Sequence, residues 1–404
     1  MKVKFNKYTW IYISLFIITL SESIFVNNRG LDNLFEYIGY GILLIYIIFS
    51  FFKKDNYVNK KKNFMIFIVI LILSSIGLWF QNITKFRLFI LEFTVVAISM
   101  ISVLSVNCMC SLDIIRGGAY AILIGIITSS LLGIIGGDGI IDNIKAGEGI
   151  LGISLGLNGG IVFKNYYSAD LLVIYISLYI YGKYIKQKSI DKLTKILCLI
   201  LCVLSNSRGG LLLFAIFVIS TNYSIIYSIS KKYRKFIVLL AIIIIGLVTV
   251  NIFNNIILRF STYAYRFRGL LNYLNYYDGD SFHMIFGNAE SFYDKSNSYV
   301  MAVRSTTGYD GSLEMAWLNI LIKSGLLGVL AYAFIFIRMF KLAVKANNKV
   351  ISVGIMAITI TLLASSLVEA YIQSIHCIYG MMSYMAVNGL YGCDLKFNSK
   401  EQKR

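Results

Sequence analysis

Proline is absent from this 404-residue chain, and histidine, tryptophan and cysteine are scarce, with two, three and six copies. The lack of proline is unusual for membrane helices, in which proline is comparatively frequent, and a bias in coding composition accounts for most of it. No cysteine falls in the two longest polar connections of the chain, so disulfides are not expected. Cys108 and Cys110 have no histidine nearby, which argues against a metal site there.

Acidic residues are also few, with 20 Asp and Glu against 38 Lys and Arg, and the formal net charge is +18. A basic balance can indicate nucleic-acid binding, but this chain is 58% hydrophobic and its mean hydropathy is +0.73. Ordinary soluble domains are only about 45–50% apolar. Long apolar runs recur from residue 9 to residue 391, which predicts an all-α, polytopic integral membrane protein.

Twelve apolar segments have about the 17–25 residues that a transmembrane helix needs. They fall near 9–26, 35–52, 64–80, 87–106, 116–135, 166–182, 193–206, 209–228, 236–257, 313–337, 350–369 and 371–391. The first segment is too long, and too lightly flanked, for a cleaved signal peptide. We therefore predict a single transmembrane domain over 1–404.

The basic residues predict the orientation of these segments. An even number of spans places both termini on one side, and most of the 38 basic residues fall in the connections on that same side. Because positive residues favour the cytoplasmic side, we expect both termini in the cytoplasm. Much of the charge is then orientation signal and contact with anionic lipid, and nucleic acid is not an expected partner.

Two long connections are left on the outer side. The first, 136–165, is rich in glycine and reads as a flexible connector, with a re-entrant segment around 150–157 as the alternative. The second, 258–312, lies between the ninth and tenth spans and combines charged residues with many aromatic ones. Loops of this length are usually functional or disordered, and its aromatic content argues against disorder. We therefore expect the active site to face outwards and to use this loop.

Five arginines are expected on the outer side: Arg208, Arg259, Arg266, Arg268 and Arg304. Guanidinium groups bind phosphates through two parallel hydrogen bonds. Aromatic faces can stack on sugar rings and leave a hydroxyl for hydrogen bonding. A ligand that has both parts and is reached from outside a membrane is a lipid-linked diphospho-sugar. For any one arginine, a lipid-headgroup contact or a loop ion pair remains the simpler interpretation.

Other polar residues allow two interpretations each. Asp278–Asp280 reads "DGD", which can chelate a metal, but Asp-Gly also favours a turn. His283 can act as a general base or be an ordinary loop histidine. His376 reads as a buried polar contact within the last span. Carboxylates near helix ends are functional hypotheses in membranes, and an outward-facing site could use Glu22 and Glu369.

Four segments resemble the O-antigen polymerase and O-antigen ligase superfamily of bacterial surface-polysaccharide assembly, over about residues 130–340. They are "FKNYYSADLL" (163–172), "SNSRGGLLLF" (205–214), "YRFRGLLNYL" with "MIFGNAESF" (265–292) and "SLEMAWLNILIKSGLLGVLAY" (312–332). The ligase branch usually has a histidine eleven residues before the first glycine of the closing element. Here that position, counted back from Gly325, is Glu314, which favours a polymerase.

The resemblance implies metal-independent glycosyl transfer with no cofactor. A glycan on undecaprenyl diphosphate would pass to the sugar hydroxyl of an incoming lipid-linked repeat unit, with inversion at the anomeric carbon. Arginines would stabilise the leaving diphosphate where water is excluded. We expect Arg208, Arg266 and Arg268 to contact the diphosphate and Arg259 and Arg304 to shape its pocket.

A proton acceptor is needed for the acceptor hydroxyl. Glu314 is the first candidate, and Asp310 and His283 are alternatives. Lys164, Tyr166 and Tyr167 are expected to line the path by which the glycan or phosphate arrives. The partners implied are the lipid-linked donor and acceptor, membrane lipids and a chain-length regulator, and the product is O-antigen, capsule or another exopolysaccharide.

Three other functions stay open. A ligase would pass the glycan to a lipid A core. A flippase or other transporter can also have twelve spans, although the sequence shows no internal repeat of the kind that transporters often have. A polytopic scaffold is the third. A cytoplasmic nucleotide-sugar transferase is disfavoured, because the inner connections are short and nearly lack acidic residues.

Overall fold

The structure is a computed structural model that describes residues 8–53, 59–81, 83–106, 111–143, 155–185, 188–222, 273–275, 277–289, 315–367 and 369–401. About 80% of the described residues are helical. The helices are α1 Thr9–Ser21, α2 Ile24–Asn27, α3 Asp32–Phe52, α4 Lys60–Trp79, α5 Lys85–Leu104, α6 Leu112–Gly136, α7 Lys164–Tyr184, α8 Ser189–Leu204, α9 Arg208–Thr221, α10 Ser281–Phe286, α11 Ala316–Lys345, α12 Lys349–Ser366 and α13 Ile378–Glu401.

Six of the described helices are long and apolar enough to cross a membrane, namely α3, α4, α5, α6, α11 and α12, and α1 and α9 are shorter apolar helices. This is the fold of a helical, membrane-embedded protein, as the composition predicts. Eleven of the twelve predicted spans overlap a described helix. The span predicted at 236–257 lies outside the described residues, so the count of twelve stays a prediction.

The first and last predicted spans are wrong in their bounds. The first breaks after Ser21, because the backbone around residues 22–24 pairs with the end of the Gly-rich connection: Val162 N–H donates to Glu22 O at 2.9 Å and Ile24 N–H donates to Gly160 O at 2.8 Å. The last helix begins at Ile378, after a non-helical stretch that includes residues 369–377. Glu22 Oε1 accepts a hydrogen bond from Ile378 N–H at 2.8 Å and so caps this helix.

The Gly-rich connection contains two short strands, β1 Ile141–Asn143 and β2 Leu155–Leu157, which pair antiparallel with Asp142 opposite Gly156. Within the alternative re-entrant segment at 150–157, residues 155–157 therefore form a strand, and residues 144–154 lie outside the described part of the chain. The extended backbone of this connection is what pairs with residues 22–24.

Helix α11 is interrupted at Gly325, whose φ of +63° and ψ of −162° are not helical. Only glycine adopts such a conformation without strain. The break leaves carbonyl groups of the preceding turns without helical donors. Within the described residues they bond to other segments: Asn288 N–H donates to Ile322 O at 2.6 Å, and Gln81 Nε2 donates to Lys323 O at 2.9 Å.

Small residues let the helices approach closely. A side chain at Gly39 on α3 would lie 2.6 Å from Ile18 Cγ1, and one at Gly125 on α6 would lie 2.7 Å from Thr19 Cβ. Helix α1 therefore packs against both α3 and α6, as small residues commonly allow in membrane bundles. Helix α7 lies inside the bundle, against α6, α8, α9 and α13.

A buried ion pair and a buried arginine lie near the helix ends that the sequence predicts to face the cytoplasm. Arg116 donates through Nε and Nη2 to Asp191 Oδ1, each at 2.9 Å, and the Asp191 side chain is fully buried. Arg338 donates to Ser102 O at 2.8 Å and to Asn388 Oδ1 at 2.9 Å. Within the described ranges, no carboxylate pairs with Arg338.

Candidate functional site

Helices α7 and α9 begin side by side, at the end of the bundle that the sequence predicts to face outwards. Ser207 caps α9, because its side chain accepts a hydrogen bond from Gly210 N–H at 3.2 Å. A side chain at Gly210 would lie 2.5 Å from Ser168 Oγ, so only glycine lets α9 approach α7 this closely. The Ser-Arg-Gly-Gly sequence therefore both starts α9 and fits it against α7.

A hydrogen-bonded group, here named the Asn165 clamp, joins the two helix starts; it comprises Asn165, Ser168, Ser207, Glu369 and Tyr371. Ser207 Oγ donates to Asn165 Oδ1 at 3.1 Å, and Ser168 Oγ donates to Ser207 Oγ at 3.0 Å. Asn165 Nδ2 donates to Glu369 Oε1 at 2.9 Å, and Tyr371 Oη donates to Asn165 O at 3.0 Å. The clamp thus ties α7 and α9 to the non-helical stretch before α13.

The turn that leads into α9 is held in a strained conformation. Asn206 has a φ of +55°, and its Nδ2 donates to Leu155 O, in strand β2, at 3.2 Å. Asparagine is one of the few residues that tolerate the left-handed region. A residue held there by its surroundings fixes the direction of the chain that follows. This turn therefore sets the position of Arg208, two residues later.

The structure brings Lys164 and Arg208 to this one place. Lys164 is the first residue of α7 and Arg208 the first of α9, and the residue after Lys164 is hydrogen-bonded to the residue before Arg208. Arg208 is exposed and Lys164 half-buried. The N-terminal N–H groups of helices favour anions, and Phe163 provides no capping side chain for α7.

The two tyrosines predicted to line this region differ in their surroundings. Tyr166 is half-buried, with its ring 5.2 Å from that of Phe163 and 6.0 Å from that of Tyr371. Tyr167 is only 2% exposed and packs against Gly159. Tyr166 therefore belongs to an aromatic group beside the clamp, whereas Tyr167 packs in the core, and its contact with substrate stays a prediction.

His283 belongs to a different unit. It lies on α10, which packs on α4 and α11. The "DGD" stretch forms a turn here: Asp280 caps α10 by accepting from His283 N–H at 3.1 Å, and it also bonds the His283 ring. The hydrogen bond from the ring of His283 holds the pKa of the Asp280 carboxyl below its usual range. These contacts support the turn interpretation of Asp278–Asp280.

Gln81 fastens this unit to the bundle. Its Nε2 donates to Phe286 O at 2.6 Å as well as to Lys323 O, and its Oε1 accepts from Ala289 N–H at 2.6 Å. One side chain after α4 therefore joins the segment that carries His283 to the break in α11.

Six predicted site residues lie outside the described residues, and their positions stay predictions: Arg259, Arg266, Arg268, Arg304, Asp310 and Glu314. The structure therefore places Lys164, Tyr166 and Arg208 near one another, and their relation to the large outer loop stays a prediction.

The sequence analysis named Glu22 as a residue that an outward-facing site could use, but it missed the buried group to which Glu22 belongs, below the clamp. Glu22, Asp170 and Cys377, here named the carboxylate–thiol cluster, each place one donor atom within 4.8 Å of the others, and all three are buried. Close by, His376 Nδ1 contacts Glu36 Oε2 at 2.7 Å. His376 lies before the last helix, not within it as the sequence suggested. Asp170 gave a signal in the sequence, since an ionisable residue inside an apolar span is a functional hypothesis.

Comparison with protein-family models gave no match, and a search of curated proteins found none either. The functional argument therefore depends on the site itself. Two basic side chains, two helix starts and an aromatic group lie at the end of the bundle that the sequence predicts to face outwards, next to buried carboxylates. Such a surface suits an anionic ligand that also carries a ring to stack.

Proposed function

We propose that this protein polymerises oligosaccharide repeat units carried on undecaprenyl diphosphate, at the outer face of the bacterial cytoplasmic membrane. In this reaction the hydroxyl of one lipid-linked unit attacks the anomeric carbon of the glycan on another carrier. The bond to the diphosphate breaks, the diphosphate leaves on its lipid, and the hydroxyl proton passes to a base. The transfer requires no metal, because arginines stabilise the leaving diphosphate.

The observation that carries this proposal is the joining of Lys164 and Arg208 by the Asn165 clamp. A diphosphate spreads its negative charge over two phosphoryl groups, and two neighbouring helix starts with two basic residues can bind both. Because the Ser207–Asn165 hydrogen bond fixes the two helix starts relative to each other, the site is organised before the ligand binds. Preorganised charge is more effective than charge that must rearrange during the reaction.

The aromatic group beside the clamp is suited to bind the sugar part of the ligand. Phe163 is 56% exposed and lies against Tyr166, which in turn contacts Tyr371. Aromatic faces of this kind can stack on the apolar side of a sugar ring while a tyrosine hydroxyl makes a hydrogen bond. Glu314 remains the first candidate for the base, with Asp310 and His283 as alternatives.

Chain extension on a synthetic lipid-linked repeat unit, by the purified protein in detergent or nanodiscs, tests the proposal. We expect Arg208→Lys to lose most of the rate, because it keeps the charge but loses the planar pair of donors. Lys192→Ala, a basic residue exposed at the opposite end, is the matched control and should keep the wild-type rate. Near-normal rates in both Arg208→Ala and Glu314→Gln would overturn the site assignment.

Two alternatives predict different products. A ligase would transfer the glycan to a lipid A core and not to a repeat-unit lipid, so offering both acceptors to the same preparation separates the two activities. The break in α11 at Gly325 favours a transporter as the other candidate, since transporters often use interrupted helices. Movement of a lipid-linked sugar across the vesicle membrane without any change in glycan length would support transport and not polymerisation.

A further inference from the structure

The carboxylate–thiol cluster brings together three residues from distant parts of the chain. Glu22 follows α1, Asp170 lies in the second turn of α7, and Cys377 directly precedes α13. One potential ligand atom from each lies within 4.8 Å of the other two. The group lies below the Asn165 clamp, because Asp170 is on the same helix, just over one turn beyond Asn165.

These groups are buried without the donors that their oxygens require. Glu22 is 4% exposed and Asp170 is fully buried. Glu22 Oε1 accepts from Ile378 N–H, but Glu22 Oε2 and both oxygens of Asp170 have no donor in the part of the chain that the structure describes. Leaving a buried acceptor unsatisfied is costly, and more so when the group is charged. Three such oxygens in one place require a positive species among them.

Either a proton or a cation must lie between the two carboxyl groups. One oxygen of each lies within 4.8 Å of the other, and two carboxylate oxygens attract each other only through a positive species. Protons alone would neutralise the two carboxyl groups separately and would not use the Cys377 sulfur as a ligand. A cation uses one atom from each of the three residues at once.

Glu36 is buried nearby and contacts His376 at 2.7 Å, so this histidine is already engaged and does not balance the charge of Glu22 and Asp170. The Tyr40 hydroxyl is also fully buried and has no hydrogen-bond partner among the described residues.

We propose that Glu22, Asp170 and Cys377 bind a divalent cation of the zinc class. Two carboxylates and a thiolate are ligands that Zn²⁺ accepts in tetrahedral sites, whereas Ca²⁺ and Mg²⁺ prefer oxygen alone. The cation links α1, α7 and α13 and takes no part in the glycosyl transfer proposed above. Its presence can therefore be tested without any assay of activity.

The first test measures the metal content of the full-length protein, purified with a tag that contains no histidine. We expect about one equivalent of bound zinc after incubation with Zn²⁺ and removal of the excess, as one three-residue site predicts. Asp170→Asn and Cys377→Ser should each weaken binding by more than tenfold, measured by competition with a chromophoric chelator. Cys198→Ser replaces another buried cysteine, outside the cluster, and should bind zinc like the wild type.

Cobalt substitution tests ligation directly and also controls for folding. Co²⁺ bound to a thiolate gives a charge-transfer absorption band, which we expect in the wild type and in Cys198→Ser but not in Cys377→Ser, with all three proteins eluting as the same folded species. A protein that binds no metal, and shows instead an infrared band of a protonated carboxyl group that disappears in Asp170→Asn, would overturn the proposal in favour of a shared proton. Equal metal binding by all variants would overturn it as well.

Discussion

Replacing Asn165 with alanine should separate the starts of α7 and α9, because its side chain bonds to both Ser207 and Glu369. A hydrogen bond between neutral groups contributes about 1 kcal/mol, and one to a charged group about 1.5–3 kcal/mol. Hydrogen bonds between membrane helices average only about 0.6 kcal/mol, because the unfolded state in the membrane also finds partners. We therefore expect Asn165→Ala to lower the free energy of unfolding by about 1–3 kcal/mol.

Ser207→Ala removes the other side of the same contact, and with it the cap of α9. The cap alone contributes about 1 kcal/mol, and the bonds with Asn165 and Ser168 add to this. The double variant should be less destabilised than the sum of the single variants, by about 0.5–1.5 kcal/mol, since both single changes break the same bond. Reversible unfolding in mixed micelles of the wild type, the two single variants and the double variant measures this coupling energy.

Thr128→Ala is the control for this double-mutant cycle. It removes an exposed hydrogen bond within α6, to Ile124 O at 2.8 Å, and should change the free energy of unfolding by less than about 0.5 kcal/mol. If Asn165→Ala and Ser207→Ala were additive within about 0.3 kcal/mol, the two side chains would not be in contact. The clamp would then be no basis for placing Lys164 beside Arg208.

Two further predictions concern stability and use thermal unfolding in detergent. Gly325→Ala should lower the free energy of unfolding by about 2–5 kcal/mol, because it places a side chain on a residue with a positive φ and against the Ile285 carbonyl. Gly41→Ala, whose new side chain meets no atom within 4 Å, is the control and should be tolerated. Equal effects of the two changes would contradict the break in α11. Arg116→Met should cost about 3 kcal/mol, because it leaves the buried Asp191 carboxylate unpaired, and adding Asp191→Leu should restore part of the loss. No restoration in the double variant would show that the ion pair is not what holds α6 to α8.

The helices could be predicted from the sequence because their signal is local. An apolar run of about 20 residues is a direct property of consecutive residues, and eleven of the predicted spans overlap described helices. The sequence signal for the start of α9 at Arg208 is equally local, since serine is a preferred capping residue directly before a helix. Interruptions were harder to predict: without proline, nothing marked Gly325 among the other glycines as the point where α11 breaks.

The candidate site was only partly predictable, because its contacts join distant parts of the chain. Glu22 and Ile378 are separated by 356 positions, and no property of either neighbourhood points to the other. Asp170 could be recognised as unusual within its apolar span, but its partners could not. The Asn165 clamp was missed because asparagine and serine near a helix start usually serve as caps, and the sequence does not reveal that they bridge two helices.

The buried Arg338 has a consequence for how the chain is made. Its guanidinium group is satisfied by carbonyl oxygens at the end of α5 and by Asn388 on α13. Helix α13 follows α11 in the chain, so during synthesis α11 is made before one of the partners of Arg338 exists. A buried arginine is costly until it is paired. The stability of α11 therefore depends on α13, because a chain that ends before α13 leaves the guanidinium group of Arg338 without Asn388.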